Sequence, residues 1–91
     1  MSKKLKKELA EFLSGITDAK SMDAVLANLL TPQEHEELTV RLQIFKMLLE
    51  GKSQREIAKK LKVSLATVSR GSRELKYGPP GVRKFLKNKN G

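Results

Sequence analysis

Apolar residues recur at helical spacing along much of the chain, and polar residues that begin or end helices bound each stretch. From Lys3 to about Gly15 the apolar positions fall three and four residues apart, which predicts an amphipathic helix. The polar run of residues 17–20 interrupts this pattern, and a second, short helix is expected to begin at Ser21 or Met22. The lysines at the start of the chain are interpreted as a frayed, solvated helix end, with contact to DNA or a membrane surface as the alternative; they are Lys3, Lys4, Lys6 and Lys7.

A third helix is predicted from Thr31 to about Glu50. Thr31 and Glu34 form a capping box, and Pro32 stands at the first helical position, where its missing amide costs nothing. Gly51 is expected to end the helix. Apolar residues cover most of the circumference of its second half, so a one-sided surface helix is excluded. We therefore expect this helix to be the central, buried element of an interlocked dimer.

Residues 53–76 read as two short helices joined by a tight turn. Ser53 and Glu56 form a second capping box at the start of the first helix, and Ser64 can cap the second helix. Lys62, in the turn, occupies a position where glycine is usual, and a left-handed lysine costs about 1 kcal/mol. This layout predicts a helix-turn-helix motif, whose second helix is a candidate reader of the DNA major groove. An ordinary helical hairpin inside a larger bundle is the competing interpretation.

The motif supplies a set of candidate DNA contacts. The first turn of each helix presents amides and side chains to a phosphate or a base edge, and apolar side chains in the second helix can meet a thymine methyl group. The predicted DNA-binding residues are Gln54, Arg55, Ser64, Leu65, Ala66, Thr67, Ser69, Arg73 and Lys76. Ser69, Arg73 and Lys76 are assigned to phosphates, as are Lys59 and Lys60, which could equally be solvated.

Charge is distributed unevenly between the two halves of the chain. The 91 residues carry a net charge of +9, yet residues 51–91 hold 12 Lys/Arg against two Asp/Glu, and residues 1–50 are close to neutral. The basic half contains the helix-turn-helix, so binding to a polyanion is assigned to it. A cationic surface that serves only solubility is the alternative.

The composition narrows the class of protein further. The chain has no cysteine and one histidine, His35, which we interpret as a solvated side chain, so a thiolate or histidine metal cluster is not expected. The sequence shows no nucleophile with a base to activate it, no catalytic acid pair and no glycine-rich phosphate loop, so an enzyme is not indicated. Neither a membrane span nor a signal peptide is indicated, and we expect a soluble, cytoplasmic, single domain over residues 1–91.

The C-terminal part of the chain contains two further signals. Tyr77-Gly78-Pro79-Pro80-Gly81 must end the preceding helix, and a last short helix is predicted over residues 82–87, with Val82, Phe85 and Leu86 packing inward. Gly71 lies inside the second helix of the motif, where glycine costs about 1 kcal/mol. Something is therefore expected to pack flat against it. Either Gly71 allows close helix packing, or Arg41 and Arg70 sandwich a planar ligand and pair with its carboxylate.

Several of these segments together resemble the bacterial tryptophan repressor family. The similarity extends over about residues 29–86, and Arg-Gly-Ser at residues 70–72 is its most specific part. The matching segments are Leu30-Thr31-Pro32, Arg41, Leu48-Leu49-Glu50-Gly51, Ser53-Gln54-Arg55-Glu56, Ala66-Thr67-Val68-Ser69-Arg70-Gly71-Ser72 and Leu75-Lys76.

The resemblance implies an all-α, six-helix subunit and an intertwined homodimer with two helix-turn-helix heads on a palindromic operator. It also implies L-tryptophan as a corepressor that sets the spacing of the heads. The implied ligand residues are Leu30 through its carbonyl, Thr31, Arg41, Thr67, Arg70, Gly71 and Glu74. The first two would come from the partner subunit.

The sequence departs from the best-known members at the implied ligand site. Glu74 stands where they have a small hydroxyl residue, Asn28 stands where they have a leucine, and one residue is missing between Gly51 and Ser53. Glu74 could pair with the ligand's ammonium group or fill the pocket. The function hypotheses are therefore a tryptophan-dependent repressor, a ligand-independent regulator of the same fold, and a basic helical adaptor for RNA or an acidic protein.

Overall fold

The computed structural model describes the backbone of residues 2–90 and the side chains of residues 2–86. Across residues 2–90 the chain forms six helices and no strand, which confirms the predicted all-α, six-helix subunit. The helices are α1 Lys3–Ser14, α2 Ala19–Leu29, α3 Pro32–Leu49, α4 Gln54–Leu61, α5 Leu65–Tyr77 and α6 Gly81–Asn90. The chain divides into two compact units, Met1–His35 and Glu36–Gly91.

The first unit contains α1 and α2. Ser2 caps α1, since its Oγ accepts a hydrogen bond of 3.2 Å from the Leu5 amide. The helix therefore begins at Lys3, and its four N-terminal lysines are exposed, as the interpretation of a solvated helix end predicts. The predicted start of α2, at Ser21 or Met22, was two or three residues late, because Asp18 caps the helix through a 2.8 Å bond from the Ser21 amide to Oδ2.

Helix α3 is bounded as its sequence predicts. The Thr31 amide donates to Glu34 Oε1 at 2.8 Å, and Thr31 Oγ1 accepts from the Glu34 amide at 3.1 Å, so both bonds of the capping box are present. At the other end Gly51 has φ +88°, a left-handed conformation that glycine adopts without steric cost. The Lys52 amide then donates to the Met47 carbonyl at 3.1 Å, which satisfies an otherwise unpaired carbonyl of the last turn.

The second unit is organised around a small core that joins α3, α4 and α5. Its buried members are Ile44, Met47, Ile57 and Val68, and Val40, Leu48, Ala58, Leu61 and Val63 pack against them. Ile57 and Val68 have no exposed surface at all. Burial of these side chains fixes α4 and α5 against the second half of α3.

Large apolar side chains also remain exposed on the surface of the single chain. They are Leu5, Leu9, Phe12, Leu29, Leu38, Leu42, Leu65, Val82 and Phe85, together with Tyr77. Of the three α6 side chains predicted to pack inward, Leu86 is half-buried, but the prediction is wrong for Val82 and Phe85 in the single chain, where Phe85 is 72% exposed. In α3 the buried positions Ile44, Phe45 and Met47 all lie in the second half of the helix.

Candidate nucleic-acid interface

Helices α4 and α5 and the turn between them form the predicted helix-turn-helix. Ser53 Oγ accepts from the Glu56 amide at 3.1 Å and caps α4. Lys62 then adopts the left-handed conformation, with φ 57° and ψ 46°, as the turn requires. The Val63 amide donates to the Ala58 carbonyl at 3.1 Å, and the Val63 side chain packs against the core. The left-handed conformation of Lys62 and the packing of Val63 on the core therefore set the turn between α4 and α5.

The start of α5 is capped by a pair of hydroxyl groups. Ser64 Oγ accepts from the Thr67 amide at 3.1 Å and also forms a 2.8 Å hydrogen bond with Thr67 Oγ1. Ser64, Leu65 and Ala66 are exposed, and Thr67 is half-buried. The leading turn of α5 thus faces solvent, and entry into a DNA groove would require such exposure.

The remaining predicted DNA-binding residues also lie on the surface of the motif. Arg55, Ser69, Arg73 and Lys76 are exposed, and Gln54 is half-buried at the first position of α4. The exposed cations of the motif also include Lys59, Lys60, Arg70 and, in the turn, Lys62. This surface carries an excess of positive charge that would attract the phosphates of a nucleic acid.

One contact across the motif was not predicted from the sequence. Ser69 Oγ donates to Gln54 Oε1 at 2.7 Å and so joins the middle of α5 to the first residue of α4. The two residues are 15 positions apart. Helical periodicity relates only near neighbours in one helix, so it contains no signal for this pair.

Among the ligand residues implied by the family resemblance, Gly71 has a direct structural role. Gly71 is buried, and a β-carbon placed on it would lie 2.8 Å from Cγ2 of Ile44. The expectation that something packs flat against this glycine is confirmed, and close packing of α5 on α3 accounts for it. Arg41 and Arg70 are exposed, and their sandwich of a planar ligand stays a prediction.

The other implied ligand residues have local partners. Glu74 folds along α5 towards its end, because a β-carbon on Gly78 would lie 2.6 Å from Glu74 Oε1. Thr67 pairs with Ser64. Leu30 and Thr31 belong to the first unit, where Thr31 caps α3.

Neither a metal cluster nor a membrane span is found in the part of the chain that is described. Among the side chains of residues 2–86, no three His, Asp or Glu residues lie close enough together to hold a metal ion. None of the six helices has the length and apolar character to cross a membrane.

Comparison with known proteins identifies the family. The family model described as Trp repressor protein matches residues 4–90. The Trp operon repressor homolog of Vibrio parahaemolyticus is 41% identical over 81 residues, which are 88% of this chain and 79% of the relative. The homolog of Vibrio campbellii is 41% identical over 70 residues, 76% and 70% of the two chains. The homolog of Mannheimia succiniciproducens is 44% identical over 71 residues, which are 77% of this chain and 69% of the relative.

No solved structure matches the chain significantly. The family model, by contrast, extends over nearly the whole chain, and the relatives exceed the identity at which a shared fold is expected. The predicted resemblance is therefore confirmed. The chain belongs to the Trp repressor family, whose members are helix-turn-helix regulators of transcription and not enzymes.

Proposed function

We propose that the protein is a homodimeric transcriptional repressor that binds a palindromic DNA operator, with L-tryptophan as corepressor. The observation that carries the DNA-binding part is the exposed leading turn of α5, which is capped by Ser64 and belongs to a cationic helix-turn-helix. Membership of the Trp repressor family supports the regulatory role.

In this proposal α5 enters the major groove of duplex DNA with its first turn. Leu65 and Ala66 are exposed there and can contact thymine methyl groups. Arg73 and Lys76, further along α5, would pair with phosphates, and so would Arg55 at the start of α4. Each phosphate contact releases a condensed counterion, so affinity should fall steeply as salt rises.

The exposed apolar side chains support a dimer. Leu5, Leu9 and Phe12 line one side of α1, and Leu38 and Leu42 are exposed on α3. Leaving this surface in water is costly, at roughly 25 cal/mol per Å². A second copy of the chain would cover it and would also place two α5 helices about one helical turn of DNA apart.

The residues proposed to hold tryptophan have suitable chemistry. The Arg41 and Arg70 guanidinium groups are exposed, planar and cationic, so they can stack on an indole and pair with a carboxylate. The Glu74 carboxylate and the Leu30 carbonyl could accept from an ammonium group. Thr31, Thr67 and Gly71 complete the proposed site. Bound tryptophan would supply contacts that favour the DNA-binding arrangement of the two heads.

A ligand-independent regulator of the same fold is the second candidate, and two observations favour it. Gly71 is fully explained by its contact with Ile44, so no ligand is needed to account for it. Glu74 also differs from the small hydroxyl residue that the resemblance implies at this position, and its carboxylate lies at Gly78.

Selection of bound fragments from random duplex DNA, with and without L-tryptophan, tests both candidates. Enrichment of one palindrome only with tryptophan supports the corepressor, and equal enrichment in both arms supports the ligand-independent regulator. Calorimetry with L-tryptophan should then show binding that Arg41→Ala and Arg70→Ala abolish. Lys46→Ala, which removes an exposed cation from α3, is the matched control and should bind normally. Failure to enrich any duplex would refute DNA binding.

A further inference from the structure

The hydrogen bond between Ser69 and Gln54 occupies the only donor of the Ser69 hydroxyl group. Ser69 Oγ lies 2.7 Å from Gln54 Oε1 and donates its proton to that oxygen. A serine hydroxyl has one proton to give, and a phosphate diester oxygen can only accept. While this bond is made, Ser69 therefore has nothing to donate to a DNA phosphate. Its position in the motif had predicted such a contact.

The same bond fixes the orientation of the Gln54 amide. A primary amide is planar, and its oxygen and its NH₂ group point in different directions from the carbon that joins them. With Oε1 directed to Ser69 on α5, the two N–H donors are directed elsewhere and can meet a different partner. Gln54 is also the first residue of α4, where backbone amides of the first turn lack helical acceptors and favour an anion.

We propose that Ser69 is a positioning residue that acts through Gln54: its hydroxyl holds the Gln54 carbonyl so that the amide donors of Gln54 meet a backbone phosphate of duplex DNA. This inference rests on the proposed DNA binding. It gives Ser69 a role different from a direct phosphate contact. It also explains why the long side chain of Gln54, at the start of α4, is hydrogen-bonded to α5 in the protein without DNA. A glutamine ordered in advance loses less conformational entropy on binding.

A double-mutant cycle on operator affinity separates the two roles. Ser69→Ala, Gln54→Ala and the double variant are measured by fluorescence anisotropy on the selected duplex. We expect each single change to weaken binding about fivefold, as for a neutral hydrogen bond. If Ser69 acts only through Gln54, the double variant is as weak as Gln54→Ala alone. If the two losses multiply to about 25-fold, Ser69 contacts DNA directly and the inference is overturned.

Two conservative variants guard against an effect on folding. Ser69→Thr keeps the hydroxyl group and should bind the operator with wild-type affinity. Gln54→Glu keeps an acceptor for Ser69 but replaces the amide donors, so the thermal midpoint should be unchanged while operator affinity falls at least as far as in Gln54→Ala. Full affinity of Gln54→Glu would overturn the inference.

A control serine outside the motif completes the design. The Ser14 hydroxyl in α1 donates to the Glu11 carbonyl at 2.8 Å, and Ser14→Ala should leave operator affinity unchanged. Wild-type protein that binds no duplex would refute the proposed function itself. Wild-type protein that binds, combined with multiplied losses in the cycle, would refute only the role of Ser69.

Discussion

Gly71 of α5 lies so close to Ile44 of α3 that a β-carbon on Gly71 would be 2.8 Å from Ile44 Cγ2. Both residues are buried, and Ile44 is only 1% exposed. The glycine therefore sets how closely α5 approaches the core of its unit.

Gly71→Ala should destabilise the protein even though alanine favours a helix by about 1 kcal/mol. Overpacking of a close-packed core costs typically about 1–3 kcal/mol, and the contact with Ile44 cannot relax without moving α5 or α3. We expect a net loss of up to about 2 kcal/mol in the free energy of unfolding, measured by urea denaturation.

The control for this change is Gly81→Ala. Gly81 begins α6, and a β-carbon placed on it would have no neighbouring atom within 4 Å, so alanine there should be neutral or stabilising. Ile44→Ala removes Cγ2 and is itself destabilising, but the double variant Gly71→Ala/Ile44→Ala should lose less than the sum of the two single losses. A double variant whose losses simply add would contradict the steric explanation.

Lys62→Gly should stabilise the helix-turn-helix. Lys62 has φ 57°, and a left-handed conformation costs a residue with a β-carbon about 1 kcal/mol that glycine does not incur. Glycine also loses more backbone entropy on folding, so the net gain should be about 0.5 kcal/mol. Lys60→Gly, inside α4, should instead destabilise by about 1 kcal/mol. Equal effects of the two substitutions in urea denaturation would show that the turn conformation is unimportant.

Substitutions at Ser64 should separate helix capping from DNA binding. Asn and Asp cap as well as Ser, so Ser64→Asn and Ser64→Asp should keep the free energy of unfolding, whereas Ser64→Ala should lose about 1 kcal/mol. Only aspartate adds a negative charge to the leading turn of α5. Ser64→Asp should therefore weaken duplex binding about tenfold or more relative to Ser64→Asn in an anisotropy titration at low salt. Equal affinity of these two variants would place the turn away from DNA.

Protonation of Asp18 should loosen the start of α2. The backbone hydrogen bond from Ser21, followed by that from its side chain, lowers the pKa of Asp18 below its usual 3.8. Because the folded-state pKa is depressed, this stabilisation is present above pH 3.8 and is lost as the pH falls through the folded value. The amide shift of Ser21 should report this change by NMR. Asp18→Asn keeps a cap and should remove the dependence on pH; persistence of the dependence would assign it to another group.

Phe85→Asp should disrupt the proposed homodimer. Phe85 is 72% exposed in the single chain, and a second copy would have to cover it. Burying a carboxylate in an apolar interface is strongly unfavourable, so sedimentation should show a monomer or much weaker association. Lys84→Gln, an adjacent exposed position on α6 with the same change in charge, should remain dimeric. A wild-type chain that sediments as a monomer would refute the dimer itself.

Helix boundaries were predicted well where one residue supplied an unambiguous cap. Thr31, Ser53 and Ser64 each accept from an amide three residues later, as their positions indicated. The start of α2 was misplaced because several polar residues in succession could have capped it. The structure identifies Asp18 as the cap, because its backbone is extended and its side chain accepts a hydrogen bond from the Ser21 amide.

The candidate site was predicted as a list of residues but not as a set of contacts. The exposed leading turn of α5 followed from the motif, since the polar and apolar positions of α5 alternate at helical spacing. The bond from Ser69 to Gln54 did not follow, because it joins residues in different helices. The prediction that Val82 and Phe85 pack inward was wrong for the single chain, because an apolar pattern identifies the apolar face of a helix but not the element that covers this face.

The sequence by itself determined the helices, the turn at Lys62 and the cationic character of the motif. Each of these depends on local geometry: a cap, a left-handed residue or a periodic face, all set by residues within a few positions of one another. Only the tertiary structure decided that Ile44 fills the space beside Gly71 and that Gln54 is held by Ser69. Those pairings depend on how separate helices are brought together by burial of the core, which no single stretch of the chain specifies.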